Sequence, residues 1–352
     1  MNINDLLKIA VERKASDLHL KVGSHPIVRI DGELIGLSEL KRLMQEDTVA
    51  MAFSIMNAKQ KQRFKEELEI DIAYSVPGLG RFRCNIFQQR GTVGMVLRVI
   101  PARIQTVREL MLPTVLEKIC EERRGLVLCT GTTGSGKSTS LAAMIDHINT
   151  YRNEHIITIE DPIEFLHKDK NCVISQREVG FDTHSFGAAL KHVLRQDPDV
   201  ILIGEMRDLE TTAISISAAE TGHMVYATLH TNSAATTVDR VIDIFPPHQQ
   251  AQIRMQLSVT LEGILCQTLI PKAKGGGRVM AMELMPVIPA VRNIIREGKS
   301  HQIPNAIMSG SQYGMQSMDM ALRNLYQQGL ITYEDAVAKS TSAEEFNRLI
   351  AG

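Results

Sequence analysis

The run GTTGSGKS at positions 131–138 constrains this chain more than any other feature. It fits the pattern G-x-x-x-x-G-K-[ST] without exception. It follows a short apolar run at 125–130 and opens a helical pattern that reaches about 150. Glycines there let backbone N–H groups curl around phosphate oxygens, and the helix adds the partial positive charge of its N-terminus. The residues expected at the phosphates are Thr133, Gly134, Ser135, Gly136, Lys137, Ser138 and Thr139. Lys137 can reach the β- and γ-phosphates, and the Ser138 hydroxyl can ligate Mg²⁺. The plain alternative is a strand–turn–helix corner rich in small residues; pattern and context together tell against it. The implied ligand is ATP with Mg²⁺. The loop alone admits GTP, but no NKxD-type guanine reader follows a later strand.

The loop sits in the second of two differently patterned parts. From 125 onward, apolar runs alternate with helical stretches: HIITIE, a helix at 184–196, VILIGE, a helix at 208–221, and MVYATLHT. Such alternation implies a mostly parallel sheet flanked by helices, and residues after about 286 read as helical. The Ser342-Ala-Glu-Glu345 run is a capping box for the last helix. The first part is α+β. Residues 3–14 and 46–69 read as helices. SDLHLKVGSHPIVRIDGELI alternates like two strands, with Asp31-Gly32 as a turn signal. DIAYSV, RFRCNIFQQ and TVGMVLRVI read as strands. The expected organisation is a first domain over 1–100, a linker over 101–112 and a second domain over 113–352.

Two strands of the second part end in carboxylates. HIITIEDPIEF supplies Glu160, Asp161 and Glu164; VILIGEMRD supplies Glu205 and Asp208. Strand ends in an open α/β sheet face the ligand crevice. Acids there can order Mg²⁺-bound water or polarise an attacking water, although strand ends and turns are often acidic in any case. The residues leave open which of Glu164 and Glu205 is the base. His223 precedes the MVYATLHT strand and His230 ends it; His230 could hydrogen-bond a γ-phosphate. Arg83 and Arg98 lie on successive strands of the first part. They are either solvated surface charge or arginines supplied by a second domain to the transition state. Arg195 and Arg207 flank VILIGE, and each could pair with a nearby acid.

Together these segments resemble the secretion-type ATPases, the family that drives type II secretion and type IV pili, and in particular its pilus-retraction branch. The resemblance covers essentially the whole chain. It rests on GTTGSGKST at 131–139, ITIEDPIEF at 157–165, VILIGEMRD, GHMVYATLHTNSA at 222–234, SDLHL, and GGGRVMAMELM at 275–285. AVRNIIRE at 290–297 looks like the retraction signature, with Val291 and Ile294 in place of the usual Ile and Leu; by itself it reads as an ordinary amphipathic helix. The family implies a RecA-like P-loop ATPase domain preceded by a smaller PAS-like α+β domain. It implies Glu164 as the water-activating glutamate and Glu205 as the acid near Mg²⁺. His230 would face the γ-phosphate, and Arg83 and Arg98 would reach the nucleotide when the domains close. It implies a homohexamer docked on an inner-membrane platform protein at the cytoplasmic face, with AVRNIIRE coupling hydrolysis to retraction.

The bulk numbers fit. With 352 residues and a formal net charge of -1, the chain suits two domains and not a partner bound by bulk positive charge, so no nucleic acid is expected. Scattered cysteines, no apolar run near the ~20 residues of a membrane span, and no secretory pattern at the N-terminus suggest the cytoplasm. The alternatives are an accessory retraction ATPase, an extension or secretion ATPase, and a RecA-like nucleic-acid motor. Extension ATPases usually carry a four-cysteine zinc motif, and Cys266 stands alone here.

Overall fold

The structure, a computed structural model, describes residues 2–30, 32–100 and 103–351. Asp31 of the turn signal, and Pro101 and Ala102 of the linker, lie outside the described residues. The chain divides into two compact units, Met1–Arg103 and Ile104–Gly352.

The first unit runs α1 (Ile3–Glu12), β1 (Asp17–Leu20), β2 (Ile27–Ile30), β3 (Glu33–Gly36), α2 (Gln45–Ile55), α3 (Ala58–Glu67), β4 (Glu69–Val76), β5 (Gly80–Gln89) and β6 (Thr92–Ile100). Its sheet is antiparallel throughout, in the order β3-β2-β1-β6-β5-β4. The stretch expected to hold two strands holds three, because the chain turns at both ends of β2. The helix expected over 46–69 is two helices. Met56 is extended, and Asn57 starts α3 with a reciprocal capping box: its side chain accepts from the Gln60 amide while Gln60 accepts from the Asn57 amide, both at 2.9 Å. Ile3, Leu6, Leu7 and Ala10 of α1 are buried with Phe82, Cys84 and Ile86 of β5 and Val93, Met95 and Leu97 of β6 in one core. The period of two places Arg83 and Arg98 on the other face, directly opposite each other across the β5–β6 pair.

The second unit opens with α4 (Val115–Ile119), β7 (Gly125–Thr130), α5 (Lys137–Tyr151), β8 (His155–Glu160), β9 (Val173–Glu178) and α6 (Phe186–Val193). It continues with β10 (Val200–Ile203), α7 (Leu209–Glu220), β11 (Met224–Leu229), α8 (Ala234–Asp243) and α9 (Pro247–Thr260). The hairpin β12 (Leu261–Pro271) and β13 (Arg278–Pro286) precedes α10 (Pro289–Arg296), α11 (Ile303–Ser309), α12 (Met318–Gln327), α13 (Tyr333–Lys339) and α14 (Ala343–Ala351). Val107 and Leu112, in the stretch read as linker, are buried in this unit's core. The sheet order is β13-β12-β7-β11-β10-β8-β9, parallel except for the β12–β13 hairpin. Strands β7, β10 and β11 are almost wholly apolar and buried, and the four central residues of β8 are buried, as a parallel sheet covered on both faces requires. The fold class is α/β with a smaller α+β unit before it, as expected. No helix of the described residues is long and apolar enough to cross a membrane.

Candidate nucleotide site

Because β7, β11, β10 and β8 are parallel neighbours, their C-terminal ends lie side by side. The phosphate loop follows β7 and His230 follows β11. Glu205 follows β10, and the turn holding Asp161 and Glu164 follows β8. They line one cleft of about 430 Å³ with Thr133, Gly134, Gly136, Lys137, Ser138, Thr139, Arg207 and Arg278. VILIGE and MVYATLHT both stop short as strands, at Ile203 and Leu229, which leaves Glu205 and His230 on loop backbone at the rim. A larger hollow of about 760 Å³ lies at the far end of α5. Three of its lining cations are paired, Arg108 with Glu117, Lys170 with Asp146 and Arg152 with Glu154.

The phosphate loop is shaped by glycine and by its floor. Gly131 has φ +138° and Gly136 has φ +91°, conformations side chains disfavour. Lys137 folds back to donate to the carbonyls of Gly131 at 2.8 Å and Thr132 at 3.1 Å. Burial is the main cause that holds its pKa below the usual lysine value. Of the residues expected at the phosphates, Ser135 alone does not line the cleft. It is 2% exposed, and its hydroxyl has no hydrogen-bond partner. Its backbone N–H donates to the Thr132 carbonyl at 3.1 Å.

The two acidic strand ends differ. Glu205 is tied on both oxygens: Oε2 pairs with Arg207 at 2.7 Å and Oε1 accepts from His230 Nε2 at 3.2 Å. Burial raises its pKa, but the Arg207 bond and charge, helped by His230, outweigh this and keep the carboxylate below its ordinary range. Asp208, the last residue of VILIGEMRD, caps α7 by accepting from the Thr211 amide at 2.7 Å. Glu164 is exposed at the cleft. Its turn, which includes a cis Asp161–Pro162 peptide, is pinned by the Ile163 amide donating to buried Glu178 of β9 at 3.1 Å. Between them, Glu160 accepts from Thr158 at 2.6 Å and Gln176 at 3.0 Å. Burial pushes its pKa up.

Other expected residues stand apart. His223, at the opposite end of β11, bonds the Ala218 carbonyl at 3.0 Å. Arg195 is exposed and outside the cleft lining. Within the first unit, Arg98 pairs with Asp17 at 2.9 Å and Arg83 with Asp71 at 3.7 Å. Arg292 of AVRNIIRE is not a surface charge. It donates to the Ser258 and Val259 carbonyls at the end of α9 and forks onto both oxygens of Glu262, at 2.9 Å each.

Sequence reasoning missed the supporting residues on the β12–β13 hairpin. Glu283 accepts from the Ala234 amide at 2.7 Å and so fixes the start of α8, just after His230. Gln267 lies under the phosphate loop, donating to the Ser135 carbonyl at 3.0 Å. A Gln in an apolar run was the available signal, since a buried amide needs partners.

Comparisons with known proteins identify the family. The family described as "Type II/IV secretion system protein" matches residues 1–336. The type IV pilus retraction ATPase PilT of Pseudomonas aeruginosa is 49% identical over 346 residues, covering 98% of this chain and 100% of that protein. The type IV pilus ATPase PilU of the same organism is 43% identical over 350 residues, covering 99% and 91%. A crystal structure of the pilus retraction motor PilT with bound ADP superposes with a TM-score of 0.93 at 48% identity, covering 99% of each chain. The chain belongs to the type II/IV secretion system protein family. It is an ATPase of that family, and the resemblance to the pilus-retraction branch is borne out.

Proposed function

We propose that this ATPase powers type IV pilus retraction, as a homohexamer docked on a platform protein at the cytoplasmic face of the inner membrane. The observation that carries the reading is the meeting of a complete phosphate loop, a tied Glu205 and an exposed Glu164 in one cleft at the C-terminal ends of the parallel strands. Full-length similarity to a retraction ATPase supports the biological setting. Deleting the gene and imaging the cells tests it: many pili that no longer retract are expected. Loss of pili would point to an extension motor instead.

In this reading the loop amides and Lys137 hold the phosphates, and Lys137 leaves its own loop carbonyls to do so. Ser138 and an ionised Glu205 are hard oxygen donors, which suits a Mg²⁺ that keeps waters and phosphate oxygens as its other ligands. When bound, the ion neutralises charge on the phosphates. Glu164 has its carboxylate open to the cleft and takes the proton from the attacking water. His230, now on Glu205, turns to the γ-phosphate when nucleotide binds. Arg83 and Arg98 supply charge to the transition state from the first unit. Like charges directly opposite in a sheet are unfavourable, so their pairing across β5 and β6 suits a functional role, with Asp17 and Asp71 offsetting the repulsion. Arg83→Ala should lower ATP turnover far more than ATP affinity; equal losses would make Arg83 structural. In AVRNIIRE, exposed Asn293 and Arg296 are left to face the machinery, since Arg292 is engaged internally.

A further inference from the structure

A side chain outside every recognised motif touches the phosphate loop from below. Gln267 on β12 is 3% exposed, and its amide has two partners. Nε2 donates to the Ser135 carbonyl at 3.0 Å. Oε1 accepts from the Cys129 thiol at 3.4 Å. The Ser135 carbonyl can only accept, so the amide nitrogen must face it. Ser135 is 2% exposed and Cys129 fully buried, so water does not readily replace this donor.

The geometry has a consequence for the cleft. A trans peptide is planar, with its C=O and N–H on opposite sides. Seating the Ser135 carbonyl on Gln267 therefore turns the Gly136 N–H the other way, and Gly136 lines the cleft. Gly136 adopts φ +91°, so it has little steric resistance to a peptide flip. We propose that Gln267 is a positioning residue for nucleotide binding: its side-chain amide holds the Ser135–Gly136 peptide in the orientation that presents the Gly136 N–H to a phosphate. This rests on the nucleotide-binding reading of the cleft.

The test measures binding of fluorescently labelled ADP to the full chain, with the melting temperature of the nucleotide-free protein recorded beside it. Gln267→Met keeps the volume and removes the donor. Its ADP affinity should fall about 10-fold. Cys129→Ala removes the other bond of the same amide and leaves Nε2 seated, so affinity should stay within about twofold, since a thiol is a weak donor. Gln267→Glu gives the distinguishing signature. As a carboxylate it cannot donate to the Ser135 carbonyl; protonated, it can. Its deficit relative to wild type should shrink from about pH 8.5 to about pH 6, because burial raises a carboxyl pKa. Gln267→Met should show no such recovery. Near-normal ADP binding by Gln267→Met would overturn the proposal. So would a Cys129→Ala loss of equal size, or a Gln267→Glu deficit that ignores pH. Should the Met variant fail to fold, the pH series decides alone. Lys137→Ala guards the premise: if it binds ADP as tightly as wild type, the cleft reading falls first and the proposal with it.

Discussion

The ends of β8 and β10 carry the same kind of side chain, and the structure treats them in opposite ways. Glu205 is fastened between Arg207 and His230 and held ionised. Glu164 stands exposed on a turn fixed through its backbone neighbours. A carboxylate whose proton affinity is lowered by a guanidinium and by an imidazole hydrogen bond is a poor base and a good permanent negative charge. One whose oxygens are open to the cleft can meet a water. The pair teaches that the partners of a carboxylate, rather than its place at a strand end, separate base from anchor.

The largest expected effect tests that division directly. Glu164→Gln should still bind ATP while kcat falls by roughly 10²- to 10⁴-fold, the range for removal of a general base. Single-turnover hydrolysis with separately measured affinity checks it, and near-normal turnover would break the contrast. Glu205→Gln should cost less, about 10- to 100-fold, as for a lost charged hydrogen bond. It should also raise the Mg²⁺ concentration needed for half-maximal rate. A Glu205→Gln defect as deep as that of Glu164→Gln, with unchanged Mg²⁺ dependence, would reverse the two roles.

The smallest effect concerns pH. The folded-state pKa of Glu205 lies below its ordinary 4.5, so the stabilisation Arg207 gives is present above that value. It is lost as pH falls through the lowered pKa. Arg207→Ala should therefore melt slightly earlier than wild type near neutrality, and the gap should close in acid. A gap that widened in acid would mean that Arg207 is not holding Glu205 ionised.

Much of this was legible in the residues, and unevenly. The limits of β7 follow from its nearly unbroken apolar run, and those of β8 from an apolar centre between polar ends, His155 and Glu160. β9 was not read: as an edge strand with mixed exposure, VISQRE carries no clean period. The switch from α9 to β12 was hidden because Thr260 meets Leu261 with no Gly, Pro or loop between them. The turn between β1 and β2 is marked by Gly23-Ser24, and the break before Asn57 by the Asn57–Gln60 capping box. At the site, motif residues and the local Arg207–Glu205 pair are legible, but partners distant in sequence are not. Whether His230 reaches Glu205, or Arg292 reaches Glu262, depends on which strands, loops and helices are neighbours in space. That depends on strand order, which no local pattern contains.

Arg292 repays a last look. The residue that receives it, Glu262, sits where the register of β12 against β7 slips, and such a bulge re-aims a side chain. Five residues further along the same strand, Gln267 supports the phosphate loop. The span is about 17 Å at ~3.3 Å per residue. β12 is bonded along both edges, to β7 and to β13, so one strand joins the floor of the nucleotide cleft, at Gln267, to helix α10, through Glu262 and Arg292.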